Sequence, residues 1–202
     1  MGACNQDLQD ADPTDLPDTI AMQDEFTREF MASAEEVEEG YYLFESKTGG
    51  YTMLYPVNSK LGQIYYEKVN DSFETLHFGE SKESSDVPYF IQTTYNQSND
   101  TNDIELYLTL LSEDLEYNGE YEEIELDNKT IYFARKSVKV NSDENNAFDL
   151  FGYIKSKDSN QGVRYVYGVT CFDEGDECDY DYDAVEDEAK MLMKSIEFTG
   201  ED

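Results

Sequence analysis

The chain beyond residue 40 is a succession of short β-type segments separated by turns, and this pattern limits the fold more than any other feature. Gly, Asn and Asp residues lie between neighbouring segments, as they do in β-hairpin loops. One segment alternates Val, Tyr, Ile, Thr and Tyr at every second position, which is typical of a half-buried strand. The predicted strands are 41–46, 51–56, 63–69, 72–79, 87–95, 121–126, 130–140, 148–155 and 162–172.

Two helices are predicted among these strands, because apolar residues recur at helical spacing over residues 104–115 and again over 183–195. Helices and strands do not alternate regularly, so a parallel sheet with crossover helices is not expected. The pattern therefore predicts an α+β fold with a central antiparallel sheet flanked by helices. The helices are predicted to begin at two capping boxes, Asn102 with Glu105 and Asp183 with Glu186.

Two segments resemble a known family. A Gly-rich turn precedes the strand Tyr51-Thr-Met-Leu-Tyr-Pro56, and the closing helix ends Met193-Lys-Ser-Ile-Glu-Phe198. With the mid-chain helix and the hairpins, these segments resemble the PsbP-like superfamily over about residues 41–198. The resemblance implies an α/β/α sandwich, and it implies a binding or assembly protein rather than an enzyme. Relatives of this kind occur as lipoproteins of Gram-positive bacteria.

The chain carries an unusually large negative charge. Its 202 residues include 47 Asp or Glu against 14 Lys or Arg, which gives a formal net charge of −33. Phosphate backbones and anionic lipid surfaces repel such a chain, so no nucleic-acid partner is expected. A basic protein is the partner that this charge favours.

The first residues resemble the end of a bacterial lipoprotein signal peptide. In Met1-Gly-Ala-Cys4, small residues precede a cysteine, and such peptides are cut before that cysteine. This predicts a lipid on Cys4 and a protein anchored to the extracytoplasmic face of the cytoplasmic membrane, which it touches only through that lipid. Two alternatives stay open: myristoylation of Gly2 with palmitoylation of Cys4, or an ordinary free thiol.

Residues 1–40 have the composition of a spacer. They contain twelve acidic residues and one basic residue, Arg28, so the segment should repel itself and stay extended. Within it, apolar residues near helical spacing predict a marginal helix over 20–39 that stops at Gly40. We therefore divide the chain into a tether over 1–40 and a single domain over 41–202.

The acidic segment 173–183 is a candidate binding site. Asp179, Asp181 and Asp183 have the spacing that opens an EF-hand loop, which suggests a weak Ca²⁺ site, although the Gly and Glu later in that motif are missing. The alternative is a solvated loop at a helix N-terminus, where negative charge is favourable. The same segment supplies four carboxylates that could contact a basic partner: Asp173, Glu174, Asp176 and Glu177.

Other reactive side chains are few. Cys171 and Cys178 bracket the acidic segment and would form a disulfide in an exported protein, or remain two unrelated thiols in the cytosol. His77 is the single histidine and lies in a strand, where a packed or surface role is more common than catalysis. No nucleophile elbow or phosphate-binding loop is present, so no catalytic residue and no cofactor except Ca²⁺ are proposed.

The tyrosines of the first half suggest either an interface or ordinary strand packing. They are Tyr41, Tyr42, Tyr51, Tyr55, Tyr65, Tyr66, Tyr89 and Tyr95. Taken together, the sequence predicts a lipid-anchored protein that binds a basic partner through an acidic, Tyr-bearing surface. An immunity protein against a secreted cationic toxin is one form of this hypothesis. A calcium-stabilised structural module and a carboxylate-based hydrolase are the alternatives.

Overall fold

The computed structural model describes residue 8 and residues 11–81, 88–138, 147–170 and 181–199. Several predicted site residues lie outside these ranges, and for them the sequence predictions stay as they are. They are Cys4, Cys171, Asp173, Glu174, Asp176, Glu177, Cys178 and Asp179.

The described residues form eleven strands, four α-helices and short 3₁₀ turns. The strands are β1 (Tyr41–Glu45), β2 (Tyr51–Pro56), β3 (Lys60–Leu61), β4 (Glu67–Val69), β5 (Phe73–Glu80), β6 (Tyr89–Gln97), β7 (Glu122–Glu125), β8 (Lys129–Val138), β9 (Ala147–Ser156), β10 (Gln161–Thr170) and β11 (Glu197–Phe198). The helices are α1 (Ile20–Gln23), α2 (Glu25–Arg28), α3 (Ile104–Asp114) and α4 (Tyr182–Lys194).

The strands build two antiparallel sheets. The larger sheet has the order β3-β5-β6-β10-β9-β8-β7, with β4 paired to β5. The smaller sheet has the order β1-β2-β11, so the C-terminal strand pairs with a strand from the first third of the chain. Its register places Phe198 opposite Tyr51. The predicted α+β class with antiparallel sheets is confirmed, whereas the pairing of β11 with the β1–β2 hairpin in a separate smaller sheet was not predicted.

One face of the larger sheet carries the main core. Along β5 and β6 every second side chain points into this core, including Leu76, Phe78 and Ile91. The smaller sheet, α1, α2 and α4 cover this face, and α4 contributes Leu192 and Met193. A second, smaller cluster lies on the other face, beneath α3.

The single helix predicted over 20–39 is wrong. The chain breaks at Asp24, which has an extended backbone and ends α1, while its side chain caps α2 by accepting from Thr27 N. Beyond α2 the chain is held by an isolated bridge between Met31 and Phe44. Ala21 and Met31 are fully buried in the main core, so the folded part of the chain begins well before residue 40.

Two other local predictions need correction. The strand predicted over 63–69 is a 3₁₀ turn at Gln63–Tyr65 followed by the short strand β4. The capping residues are also shifted, since Asp103 caps α3 and Asp181 caps α4 through backbone N–H groups three residues later. The Asn102 amide instead donates to Asn160.

Candidate functional site

The helix α3 is apolar on more than one side, although only one side faces the protein. Its sequence is Ile-Glu-Leu-Tyr-Leu-Thr-Leu-Leu-Ser-Glu-Asp, and Leu111 is its one fully buried residue. A helix with apolar residues around most of its circumference is normally covered on more than one side. The outer side of α3 is therefore a candidate binding surface.

The buried side of α3 is fixed to the larger sheet. Leu111 packs on Ala134, Phe151 and Val166, which lie on β8, β9 and β10. Just beyond the helix, the ring of Tyr117 meets Phe151 edge-on, with 5.1 Å between the ring centroids. This packing holds the helix firmly over the centre of the second face.

Two cations secure the C-terminal end of α3. The Lys136 ammonium donates to the carbonyl of Leu115, and the Arg164 guanidinium pairs with Asp114. Positive charge at this end of a helix also interacts favourably with the helix dipole. Glu116 then takes a left-handed backbone conformation with φ of 49°, which ends the helix.

Polar contacts hold the tyrosines around the helix. Tyr107 stacks on Tyr153 with 4.6 Å between ring centroids, and the Ser112 hydroxyl lies 2.9 Å from the Tyr121 hydroxyl. Burial raises the pKa of Tyr107 and of Tyr121, and hydrogen bonds to serine hydroxyls oppose this rise in part. These hydroxyls are therefore neutral at physiological pH, and they act as structural groups.

The outer side of α3 presents a leucine stripe, which we define as Leu106 and Leu110. They are separated by four residues and so lie on the same side of the helix, with 43% and 41% of their surface exposed. Ile104, Leu108 and Tyr117 line a shallow open groove beside the helix. An apolar strip of this kind can bind another apolar surface, and it has no group suited to catalysis.

Carboxylates surround the leucine stripe. They lie before, on and after the helix, and the exposed ones are Asp100, Asp103, Glu105, Glu113, Asp114 and Glu116. An apolar centre with a charged rim is the usual composition of a protein–protein interface. The sign of this rim favours a partner that carries Lys and Arg around an apolar patch.

The residues singled out in the sequence do not converge on this surface. His77 stacks on Tyr65 at 5.0 Å between ring centroids, and burial lowers its pKa, so it is a neutral packing residue. Asp181 accepts from Ala184 N as a helix cap, and Asp183 lies in the first turn of α4. Among the described residues, no cluster of three or more His, Cys, Asp or Glu side chains could hold a metal ion. Since Asp179 lies outside those residues, the Ca²⁺ site stays a prediction.

Four of the eight predicted interface tyrosines are core residues, and three more pack against the core while partly exposed. Tyr42, Tyr51, Tyr55 and Tyr95 are buried, whereas Tyr65 is exposed. The leucine stripe was not predicted, because the apolar spacing used to predict a helix over residues 104–115 follows only one side of that helix. The sequence signal that could have predicted the stripe is the spacing of Leu106 and Leu110, which are four residues apart on the same helix.

Comparison with known proteins gives a family. Residues 17–197 match the family described as "Putative lipoprotein YvcA". The protein of that description from Bacillus subtilis strain 168 is 32% identical over 195 residues, covering 94% of this chain and 81% of the relative. No helix among the described residues has the length and apolar composition needed to cross a membrane.

Two solved structures are similar in outline. A protein from Bacteroides thetaiotaomicron is 12% identical with a TM-score of 0.49, over 81% of this chain and 50% of that one, so this chain spans about half its length. The Ran-binding protein Mog1p from Saccharomyces cerevisiae is also 12% identical with a TM-score of 0.49, over 78% of this chain and 94% of that one.

The family description confirms the lipoprotein class expected from the N-terminus, and thus a membrane-anchored location. It does not name the PsbP-like superfamily, so that resemblance stays a prediction. With 32% identity along most of both sequences and a match over residues 17–197, the chain belongs to the family described as "Putative lipoprotein YvcA".

Proposed function

We propose that the protein is attached by a lipid on Cys4 to the extracytoplasmic face of the membrane, and that it binds a basic protein partner on the leucine stripe of α3. The single observation that carries the binding role is the exposure of Leu106 and Leu110 on a helix whose opposite side is buried. The family description supports the anchor, and the position of Cys4 after small residues supports the choice of residue.

The carboxylate rim gives the partner its chemistry. A partner with basic residues around an apolar patch would be attracted over a distance and then held by burial of the leucines. A secreted cationic toxin has this chemistry, and an immunity role is one form of the proposal. Salt should therefore slow association, because it screens the exposed carboxylates.

The test is a pair of serine substitutions on the helix, Leu106→Ser with Leu110→Ser. Complete burial of a leucine contributes about 1.5–3 kcal/mol, so burial of two that are roughly 40% exposed contributes about 1–2 kcal/mol. We therefore expect affinity for a partner captured from washed membranes or from secreted protein to fall roughly 5- to 30-fold. More than half of each leucine is already covered by the protein, so the double variant should also have a thermal midpoint lower by several degrees, and capture is compared at a temperature at which both proteins are folded.

Val37→Ser provides the matched control. Val37 is a similarly exposed apolar residue, and it adjoins the smaller sheet, which packs on the other face of the larger sheet. A photo-crosslinking amino acid at position 110 should give an adduct with the partner, whereas the same group at position 37 should give none. Equal capture by the double variant and the wild type, with the same salt dependence, would show that α3 is not the binding surface.

A further inference from the structure

The 3₁₀ turn at Gln63–Tyr65 presents two apolar side chains to the solvent. Ile64 is 85% exposed and Tyr65 is 57% exposed, which makes this the most exposed apolar pair of neighbours among the described residues. The turn is closed by a hydrogen bond from Tyr65 N to the Gly62 carbonyl. Because Tyr65 also stacks on the neutral ring of His77, the turn is a supported feature of the surface.

The turn lies in the longest stretch of the chain without an acidic residue. No Asp or Glu occurs between Glu45 and Glu67, whereas Lys47 and Lys60 both lie in that interval. Lys60 forms an ion pair with Asp24 at 2.6 Å, while the exposed Glu67 follows the turn by two residues. The density of acidic residues before the turn is therefore low, which lessens the repulsion from a phosphate-bearing surface there.

The N-terminal segment is fixed to the same edge of the protein. The side chain of Leu8 is buried in the main core, and its carbonyl accepts from Nε of Arg28 at 3.0 Å. The residue before Arg28 is Thr27, whose hydroxyl oxygen accepts from the backbone N–H of Leu61 at 2.9 Å. Leu61 ends β3 and directly precedes the turn, so a short series of contacts joins Leu8 to Ile64.

The chain between the anchor and Leu8 is short. Leu8 lies four positions after Cys4, and at 3.3–3.6 Å per residue those four steps span at most about 14 Å. The long spacer expected from residues 1–40 is therefore not available to hold the β3 edge far from a lipid attached at Cys4. The helix α3 lies over β10, β9 and β8, three to five strands from β3, which places it about 14–24 Å further away.

We infer that the Ile64–Tyr65 turn rests on the lipid surface and inserts both side chains at the membrane–water interface. The inference depends on the lipid at Cys4 that is part of the proposed function. Tyrosine is favoured at this interface because its ring is apolar and its hydroxyl is polar, and an exposed isoleucine gains by leaving water. This contact is additional to the lipid, through which alone the sequence predicted membrane contact. In this orientation the β3 edge lies on the membrane and the leucine stripe of α3 is held away from it.

The chain lacks tryptophan, so the fluorescence of a single introduced tryptophan reports only on the surroundings of the substituted position. The full-length lipidated protein with Ile64→Trp is reconstituted in phosphatidylcholine vesicles with brominated acyl chains, which quench tryptophan at the interface. We expect blue-shifted emission that is quenched by the brominated lipid. The matched control is Leu106→Trp on α3, whose emission should show neither the shift nor the quenching.

Mass spectrometry of the mature N-terminus separates the two proposals. A lipidated protein whose Ile64→Trp emission is not quenched overturns the lipid contact of the turn and leaves the anchor intact. A mature chain without lipid on Cys4 overturns the anchor, and with it the orientation inferred here. A blue shift of the Ile64→Trp emission that is caused by proteins from washed membranes, and not by protein-free vesicles, would show that the turn binds a protein instead of lipid.

Discussion

Glu74 is a buried carboxylate that connects the two sheets, and its removal gives the sharpest test of the fold. It lies on the core side of β5 with no exposed surface. The Ser46 hydroxyl donates to it at 2.6 Å, the Lys47 backbone N–H at 3.0 Å and the Tyr66 hydroxyl at 3.3 Å. Two of these donors belong to the turn between β1 and β2, so Glu74 fastens the smaller sheet to the larger one.

The substitution Glu74→Ala should cost about 2–4 kcal/mol of unfolding free energy. A buried backbone N–H that loses its acceptor costs about 1–3 kcal/mol, and the space left by the carboxymethyl group adds a further cavity penalty. The substitution Glu74→Gln retains a carbonyl oxygen for Lys47 and should cost less than about 1 kcal/mol at neutral pH. Urea unfolding of the three proteins, followed by circular dichroism, measures both differences. If Gln were as damaging as Ala, the role of the side chain as a hydrogen-bond acceptor would be refuted.

Three further outcomes follow from contacts in the structure. Burial raises the pKa of Glu74 despite its hydrogen bonds, so protonation of Glu74 stabilises the folded state at acid pH. This contribution is lost as the pH rises from about 4.5 through the pKa of the folded protein. Urea unfolding should therefore show Glu74→Gln gaining stability relative to the wild type over that range. Lys129 is buried and donates to the Ile196 carbonyl and to Glu197, so Lys129→Met should lower the unfolding free energy by about 1–2 kcal/mol and increase hydrogen exchange at Phe198. Arg28→Ala removes the donor to the Leu8 carbonyl, and limited proteolysis should then cut the N-terminal segment faster, with little change at the C-terminus.

Local patterns predicted most of the larger sheet, because each long strand has its own alternation and its own turn. The hairpin of β1 and β2 is an example, since Gly49 takes a left-handed φ of 70° in the turn where the sequence places two glycines. The strands β3 and β11 have two residues each, and their existence depends on partners far away in the chain. No local window contains that information, so the smaller sheet was predicted only as a hairpin.

The candidate site was harder to predict, because burial and exposure depend on what packs against each face. Tyr55 and Tyr65 are both aromatic residues in an apolar stretch, yet one is fully buried and the other is mostly exposed. The same ambiguity applies to α3, where Leu111 faces the sheet while Leu106 and Leu110 face the solvent. Helical spacing shows which residues share a side, and only the fold shows which side is covered.

The use of positive charge explains how a chain with a net charge of −33 folds and still presents an acidic surface. Six of the described basic side chains donate to backbone carbonyls, which are groups that need partners inside the protein. They are Arg28, Lys47, Lys129, Lys136, Lys155 and Lys157. Lys129 and Lys157 also pair with Glu197 and Glu125, but 14 basic residues cannot pair with 47 acidic ones, so most of the carboxylates, including most of those around α3, keep their field. Salt should screen that field and weaken partner binding, but it should affect the short contacts to buried carbonyls much less.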